Sequence, residues 1–148
     1  MDLIFREANL DDLERVVELI ADDAVAARRT GTYGEPHLRA FEAITASPDN
    51  ELVVAESDGV VIGVMQLTFI PGISRNGASR LLVEAVRVSS ELRGQGVGRL
   101  LMEHAHERGR ERGCVLAQLT SDKQRPEAHR FYRSLGYDQS HEGFKLPL

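Results

Sequence analysis

The stretch Val86-Arg87-Val88-Ser89-Ser90-Glu91-Leu92-Arg93-Gly94-Gln95-Gly96-Val97-Gly98-Arg99-Leu100-Leu101 carries an apolar strand through a glycine-rich turn into a helix. Glycines at 94, 96 and 98 open backbone conformations closed to other residues and let a ligand come near the main chain. Amides in that turn and in the first helical turn have no intrahelical acceptor, and they meet the positive end of the helix dipole. Phosphate oxygens are their natural partner. Arg93, Gly94, Gln95, Gly96, Val97, Gly98 and Arg99 therefore form a candidate anion cradle, in which Arg93 and Arg99 either add charge-assisted contacts or stand as solvated surface residues. A nucleotide-hydrolysing P-loop needs Gly-Lys-[Ser/Thr], which is absent, and a dinucleotide fingerprint needs Gly-x-Gly-x-x-Gly, whereas Gly98 follows Gly96 after one residue. On the glycines alone, a flexible strand-to-helix turn is the competing reading.

Upstream of this stretch, Glu51 to Ser57 and Val60 to Ile70 are apolar runs joined by Asp58-Gly59, a favoured two-residue hairpin connection. Leu81 to Val88 is a third run. Nearer the start, Leu3 to Ala8 reads as a strand, and Asn9 with Asp12 three residues on resembles a capping box. Leu13, Val16, Val17, Ile20 and Ala24 follow at helical spacing. A looser stretch, Arg28 to Pro36, precedes a second helix over Pro36 to Ala46. Downstream, the long helix runs from about Val97 to Arg112 and stops at Gly113. Val115 to Leu119 reads as a short buried strand, with Cys114 as a small core residue. Pro126 opens another helix, in which Ala128, Phe131, Tyr132 and Leu135 share a face. The tail from Tyr137 to Leu148 is expected to return as one or two strands. This order indicates an α/β or α+β domain with a mixed sheet.

The chain has 148 residues, 42% hydrophobic and 28% charged, with a formal net charge of -5. Its length fits one domain spanning residues 1–148. No apolar run approaches the about 20 residues that cross a bilayer, and the N-terminus lacks the basic start and apolar middle of a signal peptide, so no membrane partner and a cytoplasmic location are expected. The acidic balance argues against nucleic-acid binding. Basic residues cluster instead at Arg87 to Arg99, Arg108 to Arg112 and Lys123 to Arg133. A single cysteine excludes an internal disulfide. His37, His104, His106 and His129 have no ligand-like spacing with acids, read as helix-surface residues, and indicate no metal site.

Glu84 stands out within Leu81-Leu82-Val83-Glu84-Ala85-Val86, because a carboxylate facing a dry core is costly unless paired. It is either a group whose burial suits it to proton abstraction or an edge-facing or salt-bridged glutamate, with Arg80 as one partner.

The glycine-rich turn fills [Gln/Arg]-x-x-Gly-x-[Gly/Ala] with Arg93, Gly96 and Gly98, and the helix Ala128-His129-Arg130-Phe131-Tyr132-Arg133-Ser134-Leu135-Gly136-Tyr137 lies downstream. Together they resemble the two signature motifs of the GNAT superfamily of N-acetyltransferases, and the element order resembles it over nearly the whole chain. That resemblance implies a mixed, mostly antiparallel sheet of six to seven strands flanked by about four helices. It implies acetyl-CoA as co-substrate and transfer of its acetyl group to a primary amine by direct attack in a ternary complex. Glu84 matches the family's general base and Tyr132 the tyrosine that serves the departing sulfur; on spacing alone Tyr132 reads as a core aromatic. Val86 and Val88 would present backbone amides to the pantetheine arm and the oxyanion, and Phe131 would line the cofactor. The family often has Asn where this chain has Arg125, so that contact is open here.

The C-terminal half looks most like aminoalkylphosphonate N-acetyltransferases, which suggests a small polar amine bearing an anionic group. Lys123, Arg125 and His141 are candidates near the acceptor, as are Tyr33, Gln66, Thr68, Phe69 and Thr120, with surface or core roles as the alternative for each. A protein or peptide acceptor, or a non-catalytic acyl-CoA-binding module, are the competing functions. Many family members pair through C-terminal strands, which makes a homodimer a candidate assembly.

Overall fold

The computed structural model describes residues 2–148. The chain divides into a first unit ending at Gln118 and a second, Leu119–Leu148. In the first unit the elements are β1 (Ile4–Glu7), a 3-10 turn (Leu10–Asp12), α1 (Leu13–Ile20), α2 (Ala24–Thr30), α3 (Glu35–Ala46), β2 (Asn50–Ser57), β3 (Val60–Ile70), the one-turn α4 (Ser74–Gly77), β4 (Ser79–Val88), a second 3-10 turn (Ser90–Leu92), α5 (Val97–Glu111) and β5 (Cys114–Gln118). The sheet order is β1-β2-β3-β4-β5; the first three pairings are antiparallel and β4 with β5 is parallel. The mixed, mostly antiparallel sheet is as expected.

Among the described residues the sheet has five strands, not six or seven, because the tail from Tyr137 to Leu148 forms no strand. That tail holds no β-branched residue, is interrupted by Gly143, and has Pro147, which cannot donate to a ladder. Helical segments are also more numerous than expected. The N-terminal helix breaks after Ile20 because the Asp23 side chain accepts from the Ala26 amide at 2.7 Å and caps a new helix, α2.

The first helical turn is fixed by a compact ionic knot. Arg6 donates to both carboxylate oxygens of Asp12, at 2.7 and 3.0 Å, and to Glu56 at 3.0 Å, while Asp12 also accepts from the Asn9 amide at 2.8 Å. The Arg6 hydrogen bonds, chief among its surroundings, hold the Asp12 carboxyl below its ordinary range.

Strand alternation gives the sheet two covered faces. On one, α1 and α3 pack Val16 and Leu19, with Phe41 and Ile44, against Leu52, Val54 and Val64. On the other, α5 packs Leu101, Met102 and Ala105, all fully buried, over a face that includes Leu81. The approach is close at Gly63, where an added Cβ would meet Leu101 at 3.0 Å and both Ala55 and the Arg87 carbonyl at 3.4 Å. The β2–β3 hairpin turns at Asp58 and Gly59, with φ of 49° and 78°, the backbone twist that two-residue connections favour.

Two expectations about β5 are corrected. It is not a buried strand, since Val115 is 71% exposed, and Cys114 is half-buried. An edge strand has a partner on one side only, and here that partner is β4.

The second unit holds α6 (Pro126–Ser134), none of whose residues is buried. Asp122 organises the turn before it: its side chain accepts from the Gln124 amide at 2.9 Å and its carbonyl from the Arg125 amide at 3.0 Å. The helix ends with the Tyr137 amide bonded to the Tyr132 carbonyl at 3.1 Å and the Gly136 amide to that of Arg133 at 3.0 Å, which satisfies two terminal carbonyls.

Candidate functional site

The ladder between β3 and β4 shifts register after Glu84. Gln66 faces Glu84 but Val64 faces Arg87, so Ala85 and Val86 together oppose Met65. This is a β-bulge, and Ala85 takes it at φ 53°, a left-handed conformation that costs a non-glycine residue about 1–2 kcal/mol. The extra residue puts Glu84 and Arg87, three apart, on the same face of the sheet, the one that α1 covers. On its other side β4 leaves β5: their pairing ends at Leu82 and Gln118. From Val83 onward β4 has no β5 neighbour. The Ser89 amide donates to the Ile62 carbonyl on β3 at 2.7 Å, so by alternation the Val88 amide points away from β3, toward the unpaired side.

β4 then runs into the glycine-rich loop. Gly94 and Gly96 have φ of 78° and 83°, and a Cβ at either would meet nothing within 4 Å. Conformation, not crowding, calls for glycine there. Gly96 caps α5, and the first intrahelical bond runs from the Leu100 amide to the Gly96 carbonyl at 3.2 Å. The amides of Val97, Gly98 and Arg99 are left without helical acceptors at the positive end of a 15-residue helix with no acid in its first turn. These donors fit an anion. Val97 is buried and anchors the helix start, whereas Gln95 and Arg99 are exposed. The Arg93 guanidinium is ion-paired with Asp22, and the same carboxylate lies 3.4 Å from the Arg87 Nε.

Glu84 is exposed, and its carboxylate makes no hydrogen bond or ion pair among the described residues. Neither the expected burial nor a bridge to Arg80 is observed. Beside it in register stand Gln66 and then Leu52; the next row is Leu82, Thr68 and Asn50, where the Thr68 hydroxyl donates to the Asn50 side-chain oxygen at 2.7 Å. Gln66, Thr68 and Glu84 thus share one face. Phe69 does not join them. It lies on the α5 face, 4% exposed, with the Arg112 guanidinium 4.3 Å from its ring centre. Tyr33, half-buried in the loop between α2 and α3, stacks on His37 with ring centres 6.3 Å apart.

In the second unit, Tyr132 packs against Phe131 at 5.2 Å and meets Tyr137 edge-on at 6.0 Å. Burial, with Tyr132 as a lesser cause, pushes the Tyr137 hydroxyl up to about 12. Arg125 is half-buried at the start of α6, Thr120 is exposed, and His141 is exposed with its Nδ1 2.6 Å from the Ser140 hydroxyl. Burial raises the Cys114 thiol above its ordinary range, which leaves it a poor nucleophile. Among the described residues, no group of three His, Cys, Asp or Glu is placed to hold a metal ion, and no helix is long and apolar enough to cross a membrane.

Asp22 is not singled out by sequence, and His37 and His129, expected on helix surfaces, are instead half-buried and bonded to backbone groups within their own units. Asp22 bridges two arginines. His37 accepts from the Gly34 amide at 3.1 Å through Nδ1 and donates from Nε2 to the Thr30 carbonyl at 2.7 Å, which closes the loop holding Tyr33. His129 likewise donates to the Asp122 carbonyl at 2.8 Å and ties the turn at Arg125 to α6. The available signal was a histidine one or three residues after a proline in the first turn of a helix, as at Pro36-His37 and Pro126 to His129.

Residues 13–137 match the Acetyltransferase (GNAT) family. An aminoalkylphosphonate N-acetyltransferase of Salmonella typhimurium is 33% identical over 108 residues, 73% of this chain and 70% of that protein. Among solved structures, one described as a transcriptional regulator from Bacillus halodurans C-125 is 44% identical with a TM-score of 0.93, over 99% of this chain and 100% of that one. Glucosamine-6-phosphate N-acetyltransferase from Arabidopsis thaliana shares the fold, with a TM-score of 0.81 at 21% identity over 99% of this chain and 99% of that one. The bulged β4, its continuation into a glycine-capped helix and the match over residues 13–137 lead to one conclusion: the chain belongs to the acetyltransferase (GNAT) family.

Proposed function

We propose that this protein transfers the acetyl group of acetyl-CoA to the primary amine of a small polar molecule by direct attack in a ternary complex. The observation that carries this reading is Glu84: an unpaired carboxylate at a β-bulge, directly before the stretch of β4 that has left β5 and runs into the anion cradle. Acetyl-CoA pyrophosphate suits the amides from Gly94 to Arg99, with Arg93 and Arg99 adding charge. Backbone groups of Val86 and Val88 suit the pantetheine arm and the thioester oxygen, and Phe131 and Arg125 complete the proposed cofactor contacts.

Glu84 accepts a proton from the ammonium, directly or through one water, so that the neutral nitrogen can attack the thioester carbon. The tetrahedral oxyanion accepts a hydrogen bond from a backbone amide. Its collapse breaks the C–S bond; the Tyr132 hydroxyl protonates the leaving thiolate and regains a proton through solvent from the nitrogen, which sheds its second proton to give the neutral acetamide and free CoA. Because a thiol titrates at about 8.5, the tyrosine's contribution is modest.

The acceptor reading rests on the Salmonella typhimurium relative, whose name specifies an amine attached to a phosphonate. Gln66 and Thr68 on the Glu84 face, Tyr33, Thr120, and the basic Lys123, Arg125 and His141 are the proposed acceptor-side residues. Phe69 is left out because it faces α5.

A second reading, an acyl-CoA-binding module without turnover, is favoured by the description of the Bacillus halodurans protein as a transcriptional regulator. Thiol release from acetyl-CoA over a panel of aminoalkylphosphonates, amino sugars and peptides separates the two. Turnover with aminoalkylphosphonates is expected; CoA binding with no turnover on any amine selects the module, and turnover confined to peptides selects a protein acceptor. Glu84→Gln is expected to lower kcat at least about tenfold near neutral pH, with recovery as rising pH deprotonates the amine unaided, and to leave CoA affinity unchanged. Activity unaltered at every pH removes Glu84 as base. A second copy is the proposed partner for the exposed β5 edge, which sedimentation velocity tests.

A further inference from the structure

Asp22 and Asp23 are adjacent acids at the joint between α1 and α2, and they do different work. Asp23 turns toward its own chain and caps α2. Asp22 turns the other way: its Oδ1 lies 3.4 Å from the Arg87 Nε on β4, and its Oδ2 pairs with Arg93 of the glycine-rich loop. Its side chain is only 19% exposed. One carboxylate therefore ties three segments, the helix joint on the Glu84 face, the bulged strand and the anion cradle.

The two arginines differ in what they can give up. Arg87 is largely buried and held by its donation to the Val86 carbonyl at 2.9 Å; its Nε is buried and has no hydrogen-bond partner, so Asp22 supplies countercharge without a formed hydrogen bond. Arg93 is 57% exposed and owes its position to Asp22. An anion arriving at the amides of Gly94 to Arg99 competes with Asp22 for Arg93, and not for Arg87.

We propose that Asp22 is a latch between the two substrate sides: it holds Arg93 in the free protein, yields it to the pyrophosphate of CoA, and so converts cofactor binding into loosening of the α1–α2 joint. This rests on the pyrophosphate reading of the loop. Until CoA arrives, the pair holds α1–α2 against β4 and the loop. Once Arg93 turns to phosphate, Asp22 keeps only its longer contact to Arg87, and the joint beside the acceptor face is freed to adapt. Linkage makes the effect reciprocal: whatever the latch costs CoA binding is the free energy with which CoA opens the joint.

Calorimetric titration with CoA and amide hydrogen exchange over residues 21–31 test this. D22N is expected to bind CoA two- to fivefold more tightly than wild type, and that gain disappears in the R93Q background, a coupling that a merely structural role for Asp22 does not produce. In wild type, exchange over residues 21–31 quickens when CoA is added; in R93Q, which leaves the Asp22–Arg87 contact in place, it is already fast and does not respond. D22E, which restores the carboxylate, returns the wild-type affinity. Equal or weaker CoA binding by D22N, a gain that persists in R93Q, or exchange unresponsive to CoA in wild type overturns the latch. Should D22N fail to fold, the exchange comparison between wild type and R93Q decides alone. If wild type does not bind CoA at all, the pyrophosphate reading falls first.

Discussion

Asp12 is the residue whose charge matters most to the first unit, because its carboxylate is nearly buried and serves both the Arg6 guanidinium and the Asn9 amide. Its pKa is depressed in the folded state, so its stabilisation is complete above the unfolded value of about 3.9 and is lost as pH falls through the lower folded value. Asp12→Asn is expected to cost about 1–3 kcal/mol near neutral pH, and to lose less stability than wild type on acidification below about pH 4. Urea unfolding at a series of pH values checks this; parallel curves would mean that Asp12 is not the titrating group. Glu84 presents the opposite situation. Exposed and unpaired, it contributes no ion pair to the fold in a strand whose other charged residues are Arg80 and Arg87, which is compatible with the proton-acceptor role proposed for it. The strained Ala85 beside it points the same way, since backbone strain concentrates at functional sites.

Between elements, the seating of α5 on the sheet decides where the anion cradle sits. Gly63 gives Leu101 its place, with an added methyl group coming to 3.0 Å of the leucine and 3.4 Å of the Arg87 carbonyl. Leu101 is fully buried and cannot swing into solvent. Gly63→Ala is therefore expected to destabilise by about 1–3 kcal/mol in equilibrium unfolding, and to weaken CoA binding, because the start of α5 shifts relative to β4. An unchanged midpoint would show that α5 can slide without cost. The bulge is a second inter-element device. It lets β4 pair with β3 along its length while its other edge leaves β5 after Leu82, so that one strand serves both as sheet and as ligand-facing edge.

At the scale of the whole molecule, a net charge of -5 confronts a proposed ligand that is itself an anion, so binding depends on local donors, the orphan amides of α5 and the nearby arginines. CoA at about one hundred times its Kd is expected to stabilise the folded state by about 2.7 kcal/mol, which for a chain of this size raises Tm by roughly 5–10 °C. Differential scanning fluorimetry across a CoA series checks this, and a flat response would remove the cradle as a cofactor site. Much of this could be read along the chain. The β2–β3 hairpin, the glycine-capped α5, the proline-opened α6 and the Asn9–Asp12 start were legible because each depends on residues within a few positions of one another. The helix break at Asp23 is equally local, but the apolar spacing runs through it to Ala24 and masks it. What the sequence alone did not determine were features set by partners distant in the chain: the register shift that sends Glu84 and Arg87 to one face, the side of the sheet on which Phe69 lies, the exposed edge at β5, and the meeting of Asp22 with Arg93. Periodicity records that a side chain has a preferred face, but which face is buried, and what waits there, is decided only when strands pair and helices dock.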